Sequence, residues 1–445
     1  MARRFFGTDG IRGRVGEHPM TVDFALRLAS AAAQVLAPRG GTVLIGKDTR
    51  LSGYLFESAL EAGFVAAGVD VLLTGPLPTP GIAYLTPRCA CAFGVVISAS
   101  HNLYEDNGIK FFDGDGGKLS DELEEQIEAH LEAAPLTRSS EQLGKARRVD
   151  FMRTQYQDFC RTTLPAGVSL KGLKIVVDCA NGAAYKVAPR TLAELGADIV
   201  PIGCSPNGRN INDGCGSTSP ELLQLTVPGV HAHVGLTLDG DGDRVLMVDH
   251  LGRIVDGDQL LYVIAAARHE QEKLRGPVIG TQMSNLGLEL ALARLGIGFE
   301  RVAVGDRYVL ARLRETGGVL GGETSGHILC LDRTTTGDGL VSALQILGIM
   351  QQSGRSLAEL TAPMERYPQV LINVRVAQRF DPMARESVRG CYERLKGRLG
   401  SAGRVVLRAS GTEPLIRVMV EARRQGEAQQ IAEELAASVQ AEGQV

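Results

Sequence analysis

Residues 41–73, GTVLIGKDTRLSGYLFESALEAGFVAAGVDVLL, decide the fold. Gly41 to Gly46 reads as a short apolar strand, and Lys47-Asp48-Thr49-Arg50 as a polar turn. A helix over about 52–67 follows, because Phe56, Leu60 and Phe64 recur at i, i+4 and i+8 and line one face. Gly68 ends it, since glycine accepts the left-handed backbone of a helix stop, and Val69 to Leu73 is a second strand.

This unit recurs twice. The second copy has a strand at Leu173 to Val177, a turn at Asp178-Cys179-Ala180-Asn181-Gly182 and a helix over about 184–195. Gly196 then introduces a strand at Ala197 to Ile202. The third has a strand at Pro277 to Thr281, a turn at Met283-Ser284-Asn285 and a helix over Leu286 to Leu295. Its second strand is Phe299 to Val304. Right-handed crossovers make each copy a small sheet covered by helices. The copies lie too far apart for a solenoid, so the expectation is three related α/β domains with mixed sheets. A chain of 445 residues exceeds what one core serves, in agreement.

The tail breaks the pattern. Gln369 to Val376 alternates as a half-buried strand, 381–391 is helical, Val405 to Ala409 and Ile416 to Glu421 are strands, and 427–439 is an amphipathic helix. That composition is an α+β domain, reached through a hinge over 361–369 that carries Pro363 and Pro368. The expected domains are 1–152, 153–254, 255–366 and 367–445.

Bulk properties exclude several classes. Hydrophobic content of 44% and charged content of 22% are ordinary for a soluble globular protein. A net charge of −4 and the absence of long Lys/Arg blocks argue against nucleic acid. No apolar run approaches a membrane span and the first residues carry no signal region, so the expected location is cytoplasmic. The eight cysteines are scattered, and Cys89 and Cys91 form CxC rather than CxxC; reduced structural thiols are expected, and no zinc site. Trp is absent and aromatics are 5%, which argues against a stacking surface for bases or glycans.

Five polar stretches carry the chemistry. Gly94 to Ile97 reads as a buried strand ending in Ser98-Ala99-Ser100-His101-Asn102, and Ile109 to Phe112 as a strand after an Asn107-Gly108 turn. Adjacent residues point apart, so His101 need not be the base for Ser100. Asp239-Gly240-Asp241-Gly242-Asp243-Arg244 follows the strand Val234 to Leu238. Three carboxylates separated by glycines converge on one cation, and oxygen-only ligands favour Mg²⁺ or Ca²⁺. An EF-hand is excluded, because its twelfth position would be His250; a solvated acidic turn is the plainer alternative. Gly322-Glu323-Thr324-Ser325-Gly326-His327 offers hydrogen bonds to sugar hydroxyls or an amine. Arg408-Ala409-Ser410-Gly411-Thr412, completed by Arg417, suits a phosphate. Phe6-Gly7-Thr8-Asp9-Gly10-Ile11-Arg12-Gly13 adds an Arg between glycines. Together they fit phosphoryl transfer on a phosphorylated polyol.

In order and combination, FGTDGIRG, ISASHN, DGDGDR, GETSGH and RASGTEPLIR resemble the α-D-phosphohexomutase superfamily along essentially the whole chain, and within it the bacterial phosphoglucosamine branch. The resemblance implies three α/β domains and a TATA-binding-protein-like fourth around a central cleft. It implies that Ser100 is phosphorylated, and that Asp239, Asp241 and Asp243 bind one Mg²⁺ with an oxygen on Ser100 completing the site. Arg12, His101, Lys110 and Arg244 match residues around the transferring phosphoryl group. Glu323, Ser325 and His327 match the sugar loop, and Arg408, Ser410, Gly411, Thr412 and Arg417 the loop for the other phosphate. Lys110 and His327 both remain open as the base.

The implied reaction interconverts glucosamine 6-phosphate and glucosamine 1-phosphate through a hexosamine 1,6-bisphosphate, feeding UDP-N-acetylglucosamine and cell-wall precursors. The implied partners are small sugar phosphates, with a homodimer compatible. Thr324 departs from the branch, where Gln is expected, and Leu103 stands where Pro usually follows Ser-His-Asn. The competing readings are a phosphomannomutase/phosphoglucomutase, a sugar-phosphate sensor without catalysis, and a metal-dependent phosphatase.

Overall fold

The computed structural model describes residues 4–378, 380–409 and 414–443. The chain divides into two compact units, Met1–Thr281 with Val302–Thr361, and Gln282–Arg301 with Ala362–Val445.

The first unit contains three sheets. Strands β1 (Ile11–Arg14), β2 (Gly41–Lys47), β3 (Val69–Pro76), β4 (Phe93–Ile97), β5 (Asp106–Phe112) and β6 (Ala146–Arg148) lie in the order β1-β5-β4-β2-β3-β6. Pairs β2–β3, β2–β4 and β3–β6 are parallel, while β5 runs antiparallel to β4 and β1. The helix Ser52–Ala66 buries Phe56, Leu60 and Phe64 completely, each contributing roughly 2–3 kcal/mol over an exposed position. The second sheet joins β7 (Lys174–Asp178), β8 (Asp198–Ile202), β9 (Val234–Leu238), β10 (Val245–Asp249) and β11 (Ile254–Val255) in the order β11-β10-β9-β7-β8. In the third, β12 (Val278–Thr281) runs parallel to Leu320–Gly322, which pairs antiparallel with Ile328–Cys330. These are mixed, helix-covered sheets as the repeats predict, except that the third is packed by the helix Asp306–Thr316, the helix Leu286–Arg294 of the third repeat falling in the second unit.

Polar ties join the three sheets. Tyr156 Oη donates to Asp338 Oδ2 at 2.7 Å, Gln345 Nε2 to the Thr163 carbonyl at 3.0 Å, and the Thr79 amide to the Asp241 carbonyl at 2.8 Å.

In the second unit, Gln369–Arg375 and Gly403–Ala409 flank Leu415–Ala422 in an antiparallel sheet. Helices Glu386–Leu399 and Gln425–Gly443 close its core around Val374, Val388, Leu395, Ile416, Val418, Ile431 and Leu435. The helix Leu286–Arg294 belongs to this unit, its first amide donating to buried Glu421 at 3.1 Å.

Three expectations need correction. Asn107 and Gly108 form no turn; both lie inside β5, and the reversal occurs earlier, between Ser98 and Asp106. A Cβ on Gly108 would lie 2.6 Å from the Ser98 carbonyl oxygen, so this glycine permits close strand approach. The tail helix starts at Glu386 rather than 381, because Asp381 caps a single 3-10 turn led by Pro382. The second-domain helix spans Val187–Glu194, since Ala180 and Asn181 hold left-handed backbone and the chain makes two further turns before coiling.

Candidate active site

The loop after β4 is set by buried polar groups. Ser98 Oγ donates to Asp48 Oδ2 at 2.6 Å and accepts the Ser100 amide at 2.9 Å. Arg50, wholly buried, donates from Nε to Asp48 Oδ2 at 2.8 Å and from Nη2 to the carbonyls of Ser100 (3.1 Å) and Asn102 (2.7 Å). Its Nη1 donates to the Leu103 and Asp106 carbonyls. Asn212 Nδ2 adds bonds to the same Ser100 and Asn102 carbonyls at 2.9 and 2.8 Å. Held this way, Ser100 keeps φ at +52°, a left-handed conformation costing a non-glycine residue roughly 1–2 kcal/mol. The result is a buried hydroxyl whose Oγ donates to Asp239 Oδ2 at 2.6 Å.

Asp239, Asp241 and Asp243 are buried, and one carboxylate oxygen from each lies within 4.8 Å of the others. Burial pushes the Asp239 carboxyl well up, and Asp243 and Asp241 push it further. Burial also raises Asp243, but Lys110, His327 and Arg244 outweigh it and hold that group below the usual carboxylate range. Among the described residues, Asp241 Oδ1 and Asp243 Oδ1 have no hydrogen-bond partner. A buried, oxygen-only cluster with two unsatisfied carboxylate oxygens fits a hard divalent cation.

Cations surround the cluster. Lys110 Nζ lies 2.7 Å from Asp241, 2.8 Å from Asp9 and 3.4 Å from Asp243. Burial would lower its pKa, yet these carboxylates outweigh burial and keep it charged. The Arg244 amide donates to Asp239 Oδ1 at 3.1 Å, and Arg244 Nη1 lies 3.0 Å from His101 Nδ1. Burial first, then Arg244 and Arg12, pull the His101 pKa down to about 4. His101 is therefore neutral near pH 7, and its Nδ1 faces a guanidinium. The Ser100 hydroxyl thus has two neighbours, Asp239 Oδ2 at 2.6 Å, to which it donates, and the same His101 Nδ1 at 3.4 Å.

Beside this constellation is a cavity of about 410 Å³, lined by Thr8, Asp9, Arg12, Arg244, Asp306, Glu323 and His327 among others. Glu323 Oε1 accepts the Gly305 amide at 3.0 Å. Ser325 is exposed on the same loop, and Thr324 Oγ1 donates to Asp258 Oδ2 at 2.7 Å. In the second unit, Arg408 and Arg417 are cross-strand neighbours. Burial and Arg417 lower the Arg408 pKa, and Arg417 Nε is buried without a partner among the described residues. Like charges directly opposite are unfavourable, so this pair suits an anion. Ser410, Gly411 and Thr412 lie outside the described residues.

Several contributors here lie outside the residues that the motifs single out: Asp48 and Arg50 behind the loop, Thr79 donating to Asp241 Oδ2 at 2.6 Å, Asp9 and Asp306 lining the cavity, and Lys118 paired with both of these. Asp48 and Arg50 stood in a turn read only as polar, and Asp9 in a motif credited to Arg12. Thr79 carried no local signal.

Profiles of the phosphoglucomutase/phosphomannomutase family match in four consecutive parts. The alpha/beta/alpha domains I, II and III match residues 3–138, 155–252 and 256–367, and the C-terminal domain matches 371–438. The chain therefore belongs to the phosphoglucomutase/phosphomannomutase family, and is an enzyme of the mutase class acting on sugar phosphates. Within that class, its relatives include a phosphoglucosamine mutase of Thioalkalivibrio sulfidiphilus, 56% identical over 443 residues, covering 99% of this chain and 98% of the relative. That of Nitrosococcus oceani is 57% identical over 440 residues, covering 99% and 98%. Among solved structures, a phosphoglucomutase/phosphomannomutase family protein of Burkholderia thailandensis shares the fold at a TM-score of 0.79 and 24% identity, covering 98% of this chain and 97% of that one. An N-acetylphosphoglucosamine mutase of Aspergillus fumigatus, solved with GlcNAc-6P and magnesium, does so at 0.70 and 20%, covering 99% and 96%.

Proposed function

We propose that the chain interconverts glucosamine 6-phosphate and glucosamine 1-phosphate through a phosphorylated Ser100. The observation that carries this reading is the Ser100 hydroxyl, buried 2.6 Å from Asp239 in a carboxylate cluster that Lys110 and Arg244 contact, beside a cavity lined by Arg12 and Arg244. The relatives above supply the amino-sugar assignment.

Asp239, Asp241 and Asp243 would hold Mg²⁺, which when bound offsets charge on the phosphoryl oxygens. Phosphorylated Ser100 gives its phosphoryl group to O1 of glucosamine 6-phosphate: the Oγ–P bond breaks, the O1–P bond forms, and the O1 proton passes to a base. The 1,6-bisphosphate then reverses its two ends. Ser100 Oγ, protonated when it left, then loses that proton to the base and takes the 6-phosphoryl group: the O6–P bond breaks, the Oγ–P bond forms again and O6 is protonated, leaving glucosamine 1-phosphate. Lys110 and Arg12 face the transferring group. His101 lies 3.4 Å from Ser100 Oγ, but a pKa lowered to about 4 makes it a weak proton acceptor, and on this reading it is a phosphate contact rather than the base. Glu323, Ser325 and His327 bind the sugar, while Arg408 and Arg417, with Ser410, Gly411 and Thr412, take the second phosphate. The domains on this reading are 1–152, 153–254, 255–366 and 367–445, in a cytoplasmic enzyme.

Peptide mass analysis tests the phosphoenzyme. Ser100 should carry a phosphoryl group that excess substrate removes and a hexose 1,6-bisphosphate restores, and Ser100→Ala should have no turnover. A Ser100 that accepts no phosphoryl group overturns the reading. Turnover is then compared on glucosamine, glucose and mannose phosphates. Thr324 donates its hydroxyl proton to Asp258, so towards a substrate amine its oxygen could act only as an acceptor. Equal rates on all three would favour the phosphomannomutase/phosphoglucomutase reading.

A further inference from the structure

The turn at Gly7–Gly10 does more than carry the chain into Arg12. The Gly7 amide donates to the Gly10 carbonyl at 2.9 Å, and Gly10 holds φ at +80°. A Cβ there would lie 2.5 Å from the Ile109 carbonyl oxygen. Glycine thus lets the turn lie directly on β5 beside Lys110, with Asp9 at its tip. The Asp9 carboxylate then meets three cations. Oδ2 accepts from Arg12 Nη2 at 2.6 Å and lies 2.8 Å from Lys110 Nζ, and Oδ1 accepts from Lys118 Nζ at 2.7 Å.

Lys118 is brought there by the bridge that pairs it with Phe112. Its ammonium is shared with Asp306 Oδ2 at 2.5 Å, in the first turn of the helix Asp306–Thr316. That same Asp306 oxygen lies 3.5 Å from His327 Nε2. A continuous line of alternating charge therefore runs from Lys110 and Arg12 through Asp9 and Lys118 to Asp306, which lies beside His327; Asp9, Arg12, Asp306 and His327 line the cavity.

We infer that Asp9 and Lys118 are positioning residues for the phosphoryl transfer, holding Lys110 and Arg12 in register with Ser100 and tying them to the His327 loop. This rests on the mutase reading above. Lys110 has competing carboxylates on its other side, Asp241 and Asp243, so without Asp9 its ammonium is drawn wholly into the aspartate cluster. Three clustered cations would also lose the one anion they share, and mutual repulsion would spread Arg12 from Lys110. Either movement takes a charge off the phosphoryl oxygens in the transition state, where misplacement by about 1 Å costs roughly a hundredfold in rate. Neither Asp9 nor Lys118 need touch the reacting atoms for this.

The test uses the full-length protein with Mg²⁺ and glucosamine phosphates, and reads the single-turnover rate of phosphoryl transfer from Ser100 together with kcat, KM and the thermal midpoint. Asp9→Asn keeps the shape and removes the charge; it should slow transfer about 100-fold while KM moves by less than about threefold. Lys118→Met should lose rate in the same way, and Lys118→Arg should recover most of it. In the double variant the losses should fall short of their product, because the two residues act as one unit. Transfer at the wild-type rate in both Asp9→Asn and Lys118→Met overturns the inference, as does a rise in KM with kcat unchanged. A wild-type protein without turnover overturns the mutase reading itself, before any variant is compared.

Discussion

Ser100 owes its geometry to residues that never face the cavity. Arg50 neutralises Asp48 and donates to the carbonyls of Ser100, Asn102, Leu103 and Asp106, so one buried guanidinium fixes the whole loop. Burial raises the Asp48 carboxyl, and Arg50 with Ser98 works against that rise. Arg50→Met should leave Asp48 buried without its counter-charge and cost on the order of 3 kcal/mol, since breaking a buried pair from one side exposes the other to its full desolvation penalty. Denaturant unfolding measures the loss, and the phosphorylated fraction of Ser100 should fall with it; an unchanged midpoint would show that the loop keeps its shape by other means. Such residues were the hardest to read from the sequence. The three aspartates stand in one contiguous glycine-spaced run, where spacing alone suggests convergence, whereas Ser100 is singled out only by the combination of motifs along the chain. Asp48, Arg50, Asn212 and Asp9 act across 50 to more than 100 positions of chain, and nothing in their local sequence separates them from ordinary turn residues.

Among the elements, period served well wherever one face is buried, as at Phe56, Leu60 and Phe64. It failed where a tertiary contact overrides local turn chemistry: Asn107-Gly108 has the composition of a hairpin turn, yet the strand pairs β1–β5 and β4–β5 absorb it. The helix Gly339–Ser353 shows a different tension. Its N-cap, Asp338, accepts the Val341 amide at 2.9 Å and the Tyr156 hydroxyl at 2.7 Å, and burial raises its pKa to about 6 against these bonds. A carboxyl whose folded pKa exceeds its unfolded value near 3.8 favours the folded state only while protonated. That contribution is present at low pH and is lost as pH rises through about 6. Asp338→Asn keeps a good N-cap and removes the titration. The stability difference between variant and wild type should therefore move in the variant's favour by about 1 kcal/mol between pH 5 and pH 7.5. Paired unfolding curves at the two pH values read that change; a difference that stays constant would mean that Asp338 is ionised throughout.

At the scale of the first unit, the three sheets meet where their strands deliver polar loops, and the aspartate cluster stands at that junction. Asp239 accepts from Ser100 of the first sheet, Asp241 accepts from Thr79 and Lys110, and the Val245 amide donates to the Gly326 carbonyl of the third. The repeats predicted three sheets with loops at their strand ends, but not that the second sheet's loop would link the other two. This arrangement ties stability to the cation. Burial and mutual repulsion oppose ionisation of Asp239 and outweigh Arg244, while Lys110, in contact with Asp241 and Asp243, is shared with Asp9. A divalent cation on the cluster would relieve that repulsion in the folded state only, contributing about 2.7 kcal/mol at a free concentration one hundred times Kd. Thermal unfolding of chelator-treated protein should therefore shift upward on titration with Mg²⁺, with turnover returning over the same concentration range. Asp241→Asn, which removes one of the repelling charges, should shrink the shift while the metal-free midpoint holds or rises. If Mg²⁺ leaves the wild-type midpoint untouched, the three aspartates are a structural hub linking the sheets, and the cation they would hold makes no contribution to the fold.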